Sequence, residues 1–135
     1  MASSRPFALL QAAALSLVAC AHGALDARVT GSVTYLQRIA LSPSAFVQVQ
    51  LVDVSSADAS AAVLAEQTIR PAHQVPIPFE LVYDRSKIDP AHRYAVQARI
   101  TDGERLSFTS ERAVPVITHG APTVVELVVR PVASP

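Results

Sequence analysis

Few residues in this 135-residue chain are equipped for covalent or acid–base chemistry, and the single cysteine, Cys20, stands first among them. Its thiol is the soft nucleophile of the sequence, able as a thiolate to take an alkyl or acyl group far more readily than a serine hydroxyl would. The histidines come next: His22, His73, His92 and His119. No two of them stand at metal-ligand spacing and no second cysteine accompanies them, so they read as residues of a tether and of exposed loops. Asp84, Asp89, Asp102 and Glu104 fall in turns. Such carboxylates could bind Ca2+ or act as a glycosidase pair, but a site needs convergent geometry, and without it they read as groups that solvate turns. Neither a glycine-rich phosphate loop nor a Gly-x-Ser-x-Gly elbow occurs. The sequence therefore names no catalytic residue, no metal and no small-molecule substrate. The expectation is a non-enzymatic protein whose only chemistry lies at Cys20.

The residues before Cys20 define that chemistry. Arg5 gives a weakly positive start, and residues 7–19 form an apolar run rich in Ala and Leu, broken by Gln11 and Ser16. This is the layout of a secretory signal peptide, and it falls short of the about 20 residues that span a hydrocarbon core as a helix. Leu17-Val18-Ala19-Cys20 resembles a bacterial lipobox. Cysteine there takes a diacylglycerol as a thioether, and cleavage after Ala19 frees an amine for a further acyl chain. One acyl chain binds a bilayer marginally, whereas several anchor firmly. The expected organisation is a signal peptide over 1–19, a lipidated tether over 20–26 and a folded domain over 27–132. Covalent lipid on Cys20 is the sole prosthetic group expected, with no cofactor. Ala19-Cys20-Ala21 is also a small-x-small site, so cleavage after Ala21 would instead release a soluble protein, and a buried structural segment is the third reading. By similarity to bacterial lipoproteins, the non-acidic Ala21 directs the chain to the outer membrane, on its periplasmic face.

The elements behind the anchor read as strands. One domain of this length can bury a core without staples, and its lack of further cysteines puts stability on packing alone. Charge is balanced at 11 basic and 11 acidic residues, with no basic stripe, which argues against nucleic acid as a partner. Half the residues are hydrophobic while Trp is absent, so the core is aliphatic and no aromatic platform for sugars is expected. Apolar and polar residues alternate over 29–35, 47–51, 63–69, 77–83, 94–101, 106–108 and 125–130, the signature of half-buried strands. Residues 63–69 would also suit a short helix. Asp102-Gly103 marks a tight hairpin, Asp89-Pro90 and His119-Gly120-Ala121-Pro122 mark turns, and residues 114–117 form a short edge segment. Seven or eight short strands without a convincing helix predict an all-β fold, an antiparallel β-sandwich, with a small barrel second.

Prolines mark the surfaces where a partner could add. Pro71, Pro76 and Pro78 exclude central-strand pairing at their positions, as does Pro115, so both stretches read as sheet edges. An open edge accepts an extended peptide, and these four residues are the candidate partner-binding positions. The competing reading is that the prolines are there to block edge pairing.

Several segments carry a family resemblance: Val29-Thr30-Gly31-Ser32-Val33-Thr34-Tyr35, Ala65-Glu66-Gln67-Thr68, Gln74-Val75-Pro76-Ile77-Pro78-Phe79-Glu80-Leu81, Ile88-Asp89-Pro90 with Arg93-Tyr94, Ala98-Arg99-Ile100, and Val125-Glu126-Leu127. In this order they resemble the YbaY-type bacterial lipoproteins, a family grouped with the pilotin-like lipoprotein chaperones of type III secretion. The resemblance implies a β-sandwich tethered by lipid to the outer membrane. In the secretion-linked branch it implies an envelope protein client, a secretin subunit whose tail the pilotin binds. The alternative function is an envelope enzyme or glycan-binding module with a loop-built site, for which His73, His92 and His119 would have to gather with a carboxylate.

Overall fold

The computed structural model describes residues 25–57 and 60–132, so the expected signal peptide, Cys20 and the first part of the tether lie outside the described residues. Among those residues the chain forms β1 (Asp26–Thr34), β2 (Ala45–Asp53), β3 (Ala62–Ile69), β4 (Ile77–Asp84), β5 (Tyr94–Asp102), β6 (Arg105–Ser110), β7 (Val114–Val116) and β8 (Val124–Pro131). A 3-10 turn, Arg85–Lys87, follows β4, capped by the Asp84 carboxylate, which accepts from the Ser86 N–H at 2.9 Å. Period-two patterning decides which side each residue takes: Ile77, Phe79, Leu81 and Tyr83 are buried, while Pro78, Glu80 and Val82 between them are exposed. The all-β class is what forms. Residues 62–69 choose strand over helix because β2 supplies an antiparallel partner along their length.

The strands make one sheet in the order β3-β2-β5-β6-β8-β1-β4, with β7 paired to β5 beyond the end of β6. The sheet curls until its two edges, β3 and β4, lie side by side, where the Glu80 N–H donates to Gln67 Oε1 at 2.8 Å. The architecture is therefore closer to the small barrel weighed second on sequence than to two separate layers. One pair departs from antiparallel order. The first half of β8 runs parallel to β1, and its second half pairs antiparallel with β6. Gly31 permits this, because a Cβ built there would overlap the Val125 carbonyl oxygen on the neighbouring strand.

The core is mainly aliphatic, with Val29, Val47, Leu51, Leu81, Val96 and Leu127 among its fully buried members, and Tyr35, Phe79, Tyr83, Tyr94 and Phe108 are buried with them. Tyr35 stacks on Phe108 with ring centroids 4.5 Å apart and donates its hydroxyl to the Ile39 carbonyl at 2.6 Å. Leu106 and Phe108 share a strand parity yet have different fates: Phe108 is buried and Leu106 exposed. Phe108 lies opposite Ile100 and Leu106 opposite Thr101, so Ser107 is an extra residue, a bulge that turns Leu106 to the outside. Where β6 leaves β5, the Ser110 hydroxyl takes over, accepting from the Ala98 N–H (2.8 Å) and donating to its carbonyl (3.1 Å).

Strand directions give the barrel two unlike ends. The start of β1 lies with the ends of β2, β4 and β7, and the other end carries the residue 70–76 crossover and the Asp102-Gly103-Glu104-Arg105 hairpin.

Candidate functional site

The four candidate prolines do not come together. Pro71, Pro76 and Pro78 line a groove of about 240 Å³ at the crossover end, with Ile69, Arg70 and His73. Arg70 is already engaged, its guanidinium 4.3 Å from the Phe46 ring centroid. Pro78 sits on the edge strand β4. Since the Glu80 N–H points at the seam, the alternation of the strand turns the Pro78 nitrogen to the same open side, where a missing donor removes no ladder bond. Pro115 lies in β7 at the opposite end, opposite Ala95.

There it lines a groove of about 290 Å³ with Val54, Arg93, Tyr94, Ala95, Ala113, Thr118, His119 and Ala121. The floor is a property of the sheet's outer face. Val52 and Ala95 point outward by strand parity, outside the core cluster, and yet are only 1% and 3% exposed. With Val63 opposite Val52 and Pro115 opposite Ala95, they form an apolar row across four strands. One step along the same face the character reverses. Gln97 donates to Gln50 (3.1 Å) and Gln50 to Glu66 (2.7 Å), an amide chain that holds the Glu66 carboxyl below its ordinary range. Two apolar runs in the sequence, Leu51-Val52 and Tyr94-Ala95-Val96, carried the signal for this row, because a strand wet on one face should not place apolar residues side by side.

One wall of the groove is a strained loop. Ile117 has φ +71°, and the Thr118 N–H donates to the Val116 carbonyl at 2.8 Å, closing a three-residue turn of the rare form. His119 follows at φ +56°. For a β-branched residue this backbone is costly, about 1–3 kcal/mol, and it persists where neighbours impose it. The Thr118 hydroxyl donates to the His92 carbonyl at 2.6 Å, and His119 Nε2 lies 3.3 Å from the Ala91 carbonyl, which makes that nitrogen the donor. Both bonds tie the loop to residues 91–92. The turn at 119–122 was legible in the sequence; the strain at Ile117 was not, since nothing in the residue type predicts it.

His92 belongs to a second tie on the same wall. Its Nδ1 donates to Asp53 Oδ2 at 2.7 Å, and its Nε2 is 3.6 Å from Asp89 Oδ2. The Asp53 hydrogen bond raises the His92 pKa above its usual value, and the negative charges of Asp53 and Asp89 add to the effect. Contacts from Ser55 hold Asp53 below the usual carboxylate range, with His92 contributing. His73 is at the far end of the barrel, so the three loop histidines do not gather. Among the described residues no group of three or more His, Cys, Asp or Glu side chains is placed to hold a metal ion. Cys20 lies outside them, but the chain that follows it is fixed from Leu25 onward, whose carbonyl accepts from the Arg85 N–H at 2.7 Å.

Comparison with known proteins gives three matches. The family model described as type III secretion system lipoprotein chaperone (YscW) matches residues 25–129. The uncharacterized lipoprotein YbaY of Escherichia coli (strain K12) is 37% identical over 93 residues, 68% of this chain and 49% of that protein, so the chain spans about half the length of this curated relative. The solved structure of an alternative pilotin from the type II secretion system of Vibrio cholerae superposes with a TM-score of 0.77 at 42% identity, covering 81% of this chain and 99% of that one.

Proposed function

The chain belongs to the YscW family of type III secretion system lipoprotein chaperones, and from that premise we propose that it works as a pilotin-like, non-enzymatic lipoprotein. It is held at the periplasmic face of the outer membrane by lipid on Cys20, and it binds or escorts an envelope protein client, of which a secretin subunit is the type case. The observation that carries this reading is the likeness to the Vibrio cholerae pilotin, which extends over 99% of that protein's chain at 42% identity. The lipobox at Leu17-Val18-Ala19-Cys20 and the non-acidic Ala21 supply the anchor and its destination.

Two experiments test it. Radiolabelled palmitate is expected to enter the wild-type chain and not Cys20→Ser, with the variant appearing in the soluble periplasmic fraction; labelling of the variant at the wild-type level removes the anchor. For the client, photo-crosslinking from the barrel surface in intact cells is expected to yield a discrete envelope protein. Recovery of none, together with hydrolysis of an envelope substrate by the purified protein, replaces the chaperone with an enzyme.

A further inference from the structure

Three features of the groove at the β1 end bear on what it takes. Its walls are set in advance, by the two bonds from Thr118 and His119 and by a backbone held at positive φ. Its floor is apolar, Ala95 and Pro115, and the apolar surface continues outward through Val54 and Val63, which are 42% and 51% exposed. Its permanent charge is cationic. Arg93 lines the rim and its guanidinium has no hydrogen-bond or ion-pair partner among the described residues, whereas the carboxylates of the same loops, Asp53 and Asp89, both face His92. At about 290 Å³ the groove lies at the lower limit for small-molecule pockets, the size of a notch for side chains.

We propose that this notch docks a segment of a protein partner that presents an aliphatic side chain beside a carboxylate, the aliphatic group lying on Ala95 and Pro115 and the carboxylate meeting Arg93. The inference rests on the chaperone reading and names the chemistry of its grip. An apolar floor selects the aliphatic group by burial, and a guanidinium at the rim selects the anion, since it stays charged at any physiological pH and forms paired hydrogen bonds with carboxylate oxygens. Binding rather than chemistry is the outcome, because the two lining groups that could act, the Thr118 hydroxyl and His119 Nε2, are both engaged by backbone carbonyls of residues 91–92.

The probe is a dye-labelled 12-residue amphipathic peptide of Leu and Glu, compared with versions carrying Gln or Lys in place of Glu. Each is titrated by fluorescence anisotropy into the lipidated protein in phosphatidylcholine nanodiscs, with empty discs as blank. Saturable binding is expected for the Glu peptide and not for the Lys peptide. Arg93→Gln should weaken the Glu peptide by about fivefold, the scale of an exposed ion pair, and leave the Gln peptide unchanged. Ala121→Asp, which adds a negative charge to the rim, should weaken it by about tenfold or more. No saturable binding, equal binding of the Lys peptide, or indifference to both substitutions overturns the notch. A photo-crosslinker at Ala121 and another at Ala72 separate this from the parent reading: a client caught only through Ala72 removes the notch and leaves the chaperone, whereas capture at neither position counts against both.

Discussion

His92 donates to Asp53 and lies near Asp89, and the pH dependence of that contact has a definite sign. The folded-state pKa of His92 is raised, so its contribution is fully present below the ordinary 6.5 and is lost as pH rises through the higher folded value. That of Asp53 is lowered, so its contribution is present above 3.8 and is lost as pH falls through the depressed value. The tie is therefore tightest in mild acid, and because His92 is half exposed its effect on global stability is small. NMR titration should find the His92 midpoint above 6.5 in the wild type and closer to that value in Asp53→Asn; equal midpoints would mean the contact is absent in solution. Gly31 makes a larger claim. Its missing Cβ is what lets the Val125 backbone approach, and backbone cannot step aside as a flexible side chain does. Gly31→Ala is expected to cost about 3 kcal/mol or to prevent folding, seen as a lowered urea midpoint. Sequence alone placed Gly31 among the inward residues of its strand without a reason for being glycine, because the reason is a neighbour almost a hundred residues away.

Among the elements, the strands and their inward residues were legible because period-two alternation is local. What was not legible depends on pairing. The bulge at Ser107 exposes Leu106, and the parallel run of β8 on β1 follows from which strand lies beside which. The candidate site divides in the same way. Prolines announce edges, so the edge positions of Pro115 and Pro78 were legible, but which edge forms a groove is decided by the loops that fold over it. Closure of the sheet also rests on a pairing: the Gln67 side chain stands in for a backbone acceptor at the seam between β3 and β4. Gln67→Ala should speed hydrogen exchange at the Glu80 amide by about tenfold while amides in β2 and β5 hold their protection. Uniform acceleration through the sheet would mean that the seam opens only with global unfolding.

At the scale of the molecule, the anchor proposed at Cys20 would give the barrel's two ends different neighbours. Leu25 is the fifth residue after Cys20, a reach of at most about 17 Å, and it is pinned beside the Arg85–Lys87 turn. With that anchor the Pro115 groove is expected on the bilayer side and the Pro71, Pro76 and Pro78 groove on the far side. With the lipidated protein in vesicles, a headgroup-linked quencher should dim a dye at Ser86 and spare one at Glu104; the reverse order would mean that the domain hangs the other way up. The placement of β1 between β4 and β8 bears on biogenesis as well. Its second neighbour is β8, the last of the described strands in chain order, so β1 stays bare along one flank until β8 is delivered to it. On the export route proposed above, such a topology would mature only after β8 had crossed the inner membrane, and for that interval the unfinished barrel would itself be a candidate for the care of periplasmic holdases.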